Sequence, residues 1–215
     1  MSLSEYIASR WDLLTQAALE HALVVAISLV IATIIGVGVG MLTYRSPRWA
    51  AFAIGTSGGF LTIPSFALLG LLIPFLGLGW GPSVVALVLY SLLPIVRNTV
   101  VGLKGVDPAI VEAGRGVGMS AAGVMTRVQL PLAWPVILTG IRVSTQMIIG
   151  IAAIAAYVAG PGLGNQIFDG LSRLGSVNAL NSALAGTLGV VILAILFDLF
   201  YVVIRRLTTA RGLRV

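Results

Sequence analysis

Residues 111–131 read VEAGRGVGMSAAGVMTRVQLP, and their interpretation decides what kind of molecule this is. The stretch is the longest weakly apolar piece in the interior of a very apolar chain. Glu112, Arg115 and Arg127 keep it out of a lipid bilayer, whereas the sequence on either side is apolar enough to enter one. Its local signals are those of two short helices. Asp107-Pro108 starts the first, with a carboxylate at the N-cap and proline at the first helical position. Gly116 or Gly118 ends it in the left-handed conformation that other residues resist. Ser120 caps a second helix running toward Val128, and Pro131 closes the stretch. A structured hairpin of this length (107–131) between two membrane spans is a docking surface, because a two-residue turn would suffice to reverse the chain.

The composition sets the surroundings. Of 215 residues, 58% are apolar and 9% charged, with a mean hydropathy of +1.06. A soluble domain carries about 25% charged residues. Several runs exceed the roughly 18 apolar residues that mark a membrane helix. The fold class is therefore an all-α polytopic membrane protein. The chain has no cysteine, which excludes disulfides and thiolate sites. Residues 1–21 carry Glu5, Asp12 and Glu20 against a single Arg10, the wrong sign for a signal peptide. Leu3, Ile7, Trp11, Leu14 and Ala18 recur there at helical spacing and predict an N-terminal interfacial helix.

About five spans follow, forming one membrane domain over 22–206 with a basic tail at 207–215. The first covers Ala22–Tyr44, with Gly36 and Gly40 making a small face for close packing. The second lies within Trp49–Leu76 and holds Gly58-Gly59, Pro64 and Pro74, which predicts a bent or discontinuous helix. The third spans Ser83–Leu103. The fourth spans Ala133–Val158, with a polar loop from Gly160 to Asn181. The fifth covers Ala183–Ile204. With the hairpin inside, Arg45, Arg48, Lys104, Arg115, Arg127, Arg205, Arg206, Arg211 and Arg214 face the cytoplasm, against Arg10 and Arg173 outside. This bias predicts an outer N-terminus and an inner C-terminus, and it reads the net charge of +6 as cytoplasmic loops rather than a nucleic-acid surface.

The usual catalytic sets are missing. The single lysine, Lys104, follows Leu103, so there is no Gly-Lys-Ser/Thr phosphate loop. The single histidine, His21, reads as a polar residue at a span's outer end and excludes a histidine metal site. We expect no enzyme activity, metal or cofactor in this chain.

The hairpin has a further pattern: Glu112-Ala113-Gly114, three residues, Gly118, nine residues, Val128, one residue, Leu130-Pro131. It resembles the EAA-x3-G-x9-I-x-L-P signature of ABC importer permeases, with Gly114 and Val128 as conservative departures. Glu20-His21, Thr62-Ile-Pro-Ser65, Leu93-Pro-Ile-Val-Arg-Asn-Thr99, Val106-Asp-Pro108 and Gly140-Ile-Arg142 are similar to the osmoprotectant branch, which imports glycine betaine, choline, carnitine and related quaternary amines. Pro161 departs from that branch, where glycine is more usual.

The resemblance implies the type I ABC importer permease (MetI-like) fold in a bacterial inner membrane. It also implies a second permease subunit, an external substrate-binding protein, and two cytoplasmic ATPase subunits that hold Mg-ATP and dock on Glu112, Ala113, Gly114, Gly118, Val128, Leu130 and Pro131. A permease for another small solute such as an amino acid, an ATP-independent channel or secondary transporter, and a structural subunit are the alternatives.

Within the spans, Thr139, Gln146, Gly150 and Tyr157 recur at spacings that share one helix face with Arg142. With Ser65 they are candidates for the translocation path, or else for helix contacts through polar side chains. Arg97, Arg142 and Asp198 are the candidate intramembrane charges, with Arg142 and Asp198 expected to pair and Arg97 as the other possible partner of the aspartate.

Overall fold

In the computed structural model, residues 1–208 are described; residues 209–215, including Arg211 and Arg214 of the basic tail, lie outside the described residues. The described residues are all-helical. The order is α1 (Leu3–Ser9), α2 (Trp11–Thr43), α3 (Pro47–Thr62), α4 (Ser65–Leu76), α5 (Trp80–Lys104), α6 (Pro108–Gly116), α7 (Ala121–Val124), a π-helical segment (Met125–Gln129), α8 (Leu130–Ile154), a 3-10 turn (Ala155–Val158), α9 (Gly164–Ser172) and α10 (Ala179–Thr208). Four stretches can each cross a membrane: α2, α5, Ala121–Val158 and α10. Helices α3 and α4, bent by 96° to each other, are together apolar enough for a fifth, either as a broken span or as a re-entrant loop.

The bend falls at Ile63-Pro64. Proline has no N–H and disfavours helical geometry in the residue before it, so the helix stops at Thr62. The Ile63 carbonyl freed by the break accepts a hydrogen bond from the Tyr90 hydroxyl at 2.7 Å, which satisfies it without water. Gly58-Gly59 and Pro74, the other expected breakers, lie within helices.

Helix α5 is the centre of the bundle and is flanked by α2, α8 and α3. Close approach explains its neighbours' glycines. A Cβ on Gly36 would fall 2.7 Å from the Ile95 side chain, and one on Gly40 2.5 Å from that of Thr99. On α8, a Cβ at Gly140 would lie 2.6 Å from the Pro94 carbonyl. Ile95, Val96, Ile137, Ile148 and Ile149 fill the seams and are fully buried. Between membrane helices such side chains hold the seams by close van der Waals packing.

Three expectations need correction. There is no break between residues 21 and 22, because α2 starts at Trp11 and runs 33 residues, about 50 Å against a hydrocarbon core of about 30 Å. Trp11 is exposed, whereas Tyr6 and Leu14 pack on Ala185 of α10. The loop from Gly160 to Asn181 contains α9, whose Gly164 and Gly170 let its backbone lie against Ala153 and against Ala179 and Ala183. Pro131 does not close the hairpin. It follows the π-helical Met125–Gln129 inside one continuous helix, Ala121–Val158, which runs on into the fourth span.

Candidate functional site

The hairpin is built by local capping. The Asp107 carboxylate accepts the Ala109 N–H at 2.8 Å, and Pro108 opens α6. The helix closes in a paired turn: the Gly118 N–H donates to the Arg115 carbonyl at 2.9 Å and the Met119 N–H to the Gly114 carbonyl at 3.1 Å. That turn places Gly118 at φ +84°, a conformation in which a β-carbon is strained. The Ser120 hydroxyl then caps α7 by accepting the Gly123 N–H at 3.1 Å.

These turns sort the signature residues into two groups. Glu112, Ala113, Gly118 and Pro131 are exposed, Val128 and Leu130 are half-buried, and Gly114 is buried. At Gly114 a Cβ would meet Val124, Met119 and Val128, so this position seals the hairpin's own small core. A groove on the turn is lined by Val117, Gly118, Ser120, Gly123, Thr126 and Arg127. Arg115 and Arg127 are exposed beside it.

Sequence reasoning missed what joins the hairpin to the bundle. Over Met125–Gln129 the helix widens to the π register and carries straight on into α8. At the end of this segment the buried Gln129 side chain accepts from the Tyr44 hydroxyl at 3.1 Å, and Arg45 Nε donates to that hydroxyl at 2.8 Å. The contact spans 85 positions of sequence. A lone glutamine in a polar loop gave no sign of it.

Among the candidate charges, Arg142 and Asp198 form a two-pronged pair, Nε–Oδ1 2.7 Å and Nη2–Oδ2 2.8 Å, between α8 and α10. Gln146 extends it, donating to Asp198 at 3.3 Å and to the Ala194 carbonyl at 3.2 Å. Arg97 is exposed and has no acidic partner among the described residues. Thr139, Gln146, Gly150 and Tyr157 all lie exposed along one side of α8 and its 3-10 extension, and nothing comes within 4 Å of a Cβ built on Gly150. Thr139 returns its hydroxyl to the Pro135 carbonyl at 3.0 Å. Ser65 is half-buried at the first position of α4.

His21 lies within α2, packed against Ile149 and Gly162. It is fully buried, with Nε2 donating to the Ile149 carbonyl at 3.0 Å and Nδ1 unpartnered. Gly162, at φ +113°, covers it so closely that a Cβ there would lie 2.8 Å from the imidazole. Among the described residues no cluster of histidine and acidic side chains could hold a metal.

The family model described as binding-protein-dependent transport system inner membrane component matches residues 32–209. The glycine betaine/carnitine/choline transport system permease protein OpuCB of Bacillus subtilis (strain 168) is 40% identical over 195 residues, covering 91% of this chain and 88% of that protein. The osmoprotectant import permease protein OsmW of Salmonella typhimurium is 39% identical over 219 residues, covering 100% of each. In structure, a chain of the inward-facing MetNI methionine ABC transporter superposes with a TM-score of 0.79 at 22% identity, covering 94% of this chain and 99% of that one. That likeness concerns the fold alone. The reach of the family match, the four to five candidate spans and an interrupting capped hairpin agree: this chain belongs to the binding-protein-dependent transport system inner membrane components.

Proposed function

We propose that this chain is the permease subunit of an ATP-driven importer for osmoprotectants of the quaternary-amine class, working in a bacterial inner membrane with its N-terminus outside. The observation that carries the coupling role is the hairpin. Glu112, Ala113 and Gly118 are exposed on a capped unit that has its own buried core and continues into a membrane span. Such a unit can take up a push from a cytoplasmic ATPase without melting. The substrate class rests on the relatives, whose names specify glycine betaine, carnitine and choline at about 40% identity over nine-tenths of the chain.

A second permease, either a copy or a relative, completes the path. The most apolar stretch of α10 is almost unburied within the single chain, and Thr139, Gln146 and Gly150 of α8 are exposed. An external binding protein delivers the solute at the end away from the hairpin. This chain supplies the path and the docking surface, and hydrolysis of Mg-ATP belongs to the partner.

The test is reconstitution in vesicles with the ATPase and binding protein. Uptake of radiolabelled choline or glycine betaine that requires ATP and stops when the ATPase is omitted is the expected result. ATP-independent uptake would make the chain a channel or secondary transporter, and ATP-driven uptake of an amino acid instead would overturn the substrate class.

A further inference from the structure

We propose that Phe66, Tyr157 and Phe168 form a transit site for a quaternary ammonium group within the permease, at the end of the bundle opposite the hairpin. This inference rests on the osmoprotectant reading and names the side chains that would hold the solute's cation between its delivery and its passage.

The three rings come from three elements: the first turn of α4, the 3-10 turn after α8, and α9. Tyr157 stands between the two phenylalanines. Its ring centroid is 4.4 Å from that of Phe66 at an interplanar angle of 82°, and 4.6 Å from that of Phe168 at 79°. Each pair therefore meets as wall and floor rather than as a stack. The cluster is nonetheless open, since Tyr157 is 58% and Phe66 54% exposed. Among the described residues the Tyr157 hydroxyl makes no hydrogen bond.

A trimethylammonium group has no N–H to donate. It is held by aromatic faces, whose quadrupole attracts the cation while their carbon surface covers its methyls. Rings set at right angles offer faces on more than one side of such a group. The free phenol can meet the carboxylate or hydroxyl at the solute's other end. Aromatic side chains also gather at membrane interfaces with no ligand to bind. Two observations favour a site over such a belt. Tyr157 packs on both phenylalanines where two backbones leave regular helix, at Pro64 and at the left-handed Ala159. Irregular backbone at membrane depth belongs where protein or a cavity surrounds it. Tyr157 also ends the side of α8 that carries Thr139, Gln146 and Gly150.

The test uses the purified full chain in lipid nanodiscs and follows choline's methyl signals by saturation-transfer NMR. The comparison ligand is 3,3-dimethylbutan-1-ol, which has the same shape without the charge. Wild-type protein should bind choline, with tetramethylammonium competing, and should bind the neutral isostere roughly three- to thirty-fold more weakly. Tyr157→Leu and Phe66→Leu should each weaken choline binding within that range, and Tyr157→Trp, which keeps a ring, should retain it. The proposal is overturned by absence of choline binding to the wild type, by equal binding of the isostere, by Leu variants that bind as the wild type does, or by a Trp variant as poor as Leu. ATP-driven uptake that survives any of these results leaves the osmoprotectant reading standing without this site; loss of uptake in the wild-type complex would remove that reading itself.

Discussion

Gly118 joins two demands in one residue: a backbone at φ +84° and an exposed place on the hairpin turn. Among the described residues nothing lies within 4 Å of a Cβ there, so they leave room for a side chain. Two substitutions separate the demands. Gly118→Val should strain the turn by roughly 1–2 kcal/mol, whereas Gly118→Asn tolerates the left-handed backbone but still adds bulk to the groove. Both should insert in the membrane, and both should lose ATPase recovery in a pull-down and uptake in vesicles. Full recovery with Asn would restrict glycine's role to the turn. At Asp198 the expectation concerns coupling. Asp198→Asn should lower the melting temperature by stranding Arg142, and adding Arg142→Gln should lower it little further; strictly additive losses would contradict the pair. The Asp107 and Ser120 caps and the glycine turn were legible in sequence because each depends on neighbours within a few positions. The burial of His21 was not, since it depends on Gly162 folding back from 141 positions away.

The element that matters most is the one sequence reasoning divided wrongly. Pro131 looked like an end because proline ends helices, yet here the helix takes the π register over Met125–Gln129 just before it and continues through. The π segment before it was also not legible, since the apolar pattern does not mark a change of helical register. Its anchor is the Tyr44–Gln129 hydrogen bond, which ties the junction to the end of α2. We expect Gln129→Leu to leave ATPase docking intact while uptake falls several-fold and ATP hydrolysis continues, an uncoupled phenotype measured by comparing phosphate release with solute uptake in the same vesicles. An equal fall in both would place Gln129 in docking instead. The cap gives a milder control: Ser120→Ala should cost about 1 kcal/mol of hairpin stability. By contrast, the bent second span was readable because Pro64 acts locally, although its partner Tyr90 was not.

For the whole molecule, orientation is the first quantity to measure. The chain has no cysteine, so single cysteines report cleanly. Ala109 and Ser172 are both exposed, on α6 and at the end of α9. Ser172→Cys should react with an impermeant maleimide in intact cells, and Ala109→Cys only after permeabilisation; the reverse would put the hairpin outside and remove the docking site with it. Hydropathy made the membrane-crossing helices readable, because it is a property of long windows. The arrangement around α5 was less so, because it depends on which glycines meet which ridges. A mechanical consequence follows from the uninterrupted stretch Ala121–Val158. Its 38 residues make a rod about 57 Å long, with the hairpin turn near one end and Tyr157 near the other. A rod that tilts about its middle moves its two ends in opposite directions. On the proposed docking, a push on the hairpin would move the Tyr157 end, and any coupling free energy between the two ends would be equal in both directions. Occupancy at one end would then change how firmly the other end is gripped, with no signal having to travel along the solute's own route.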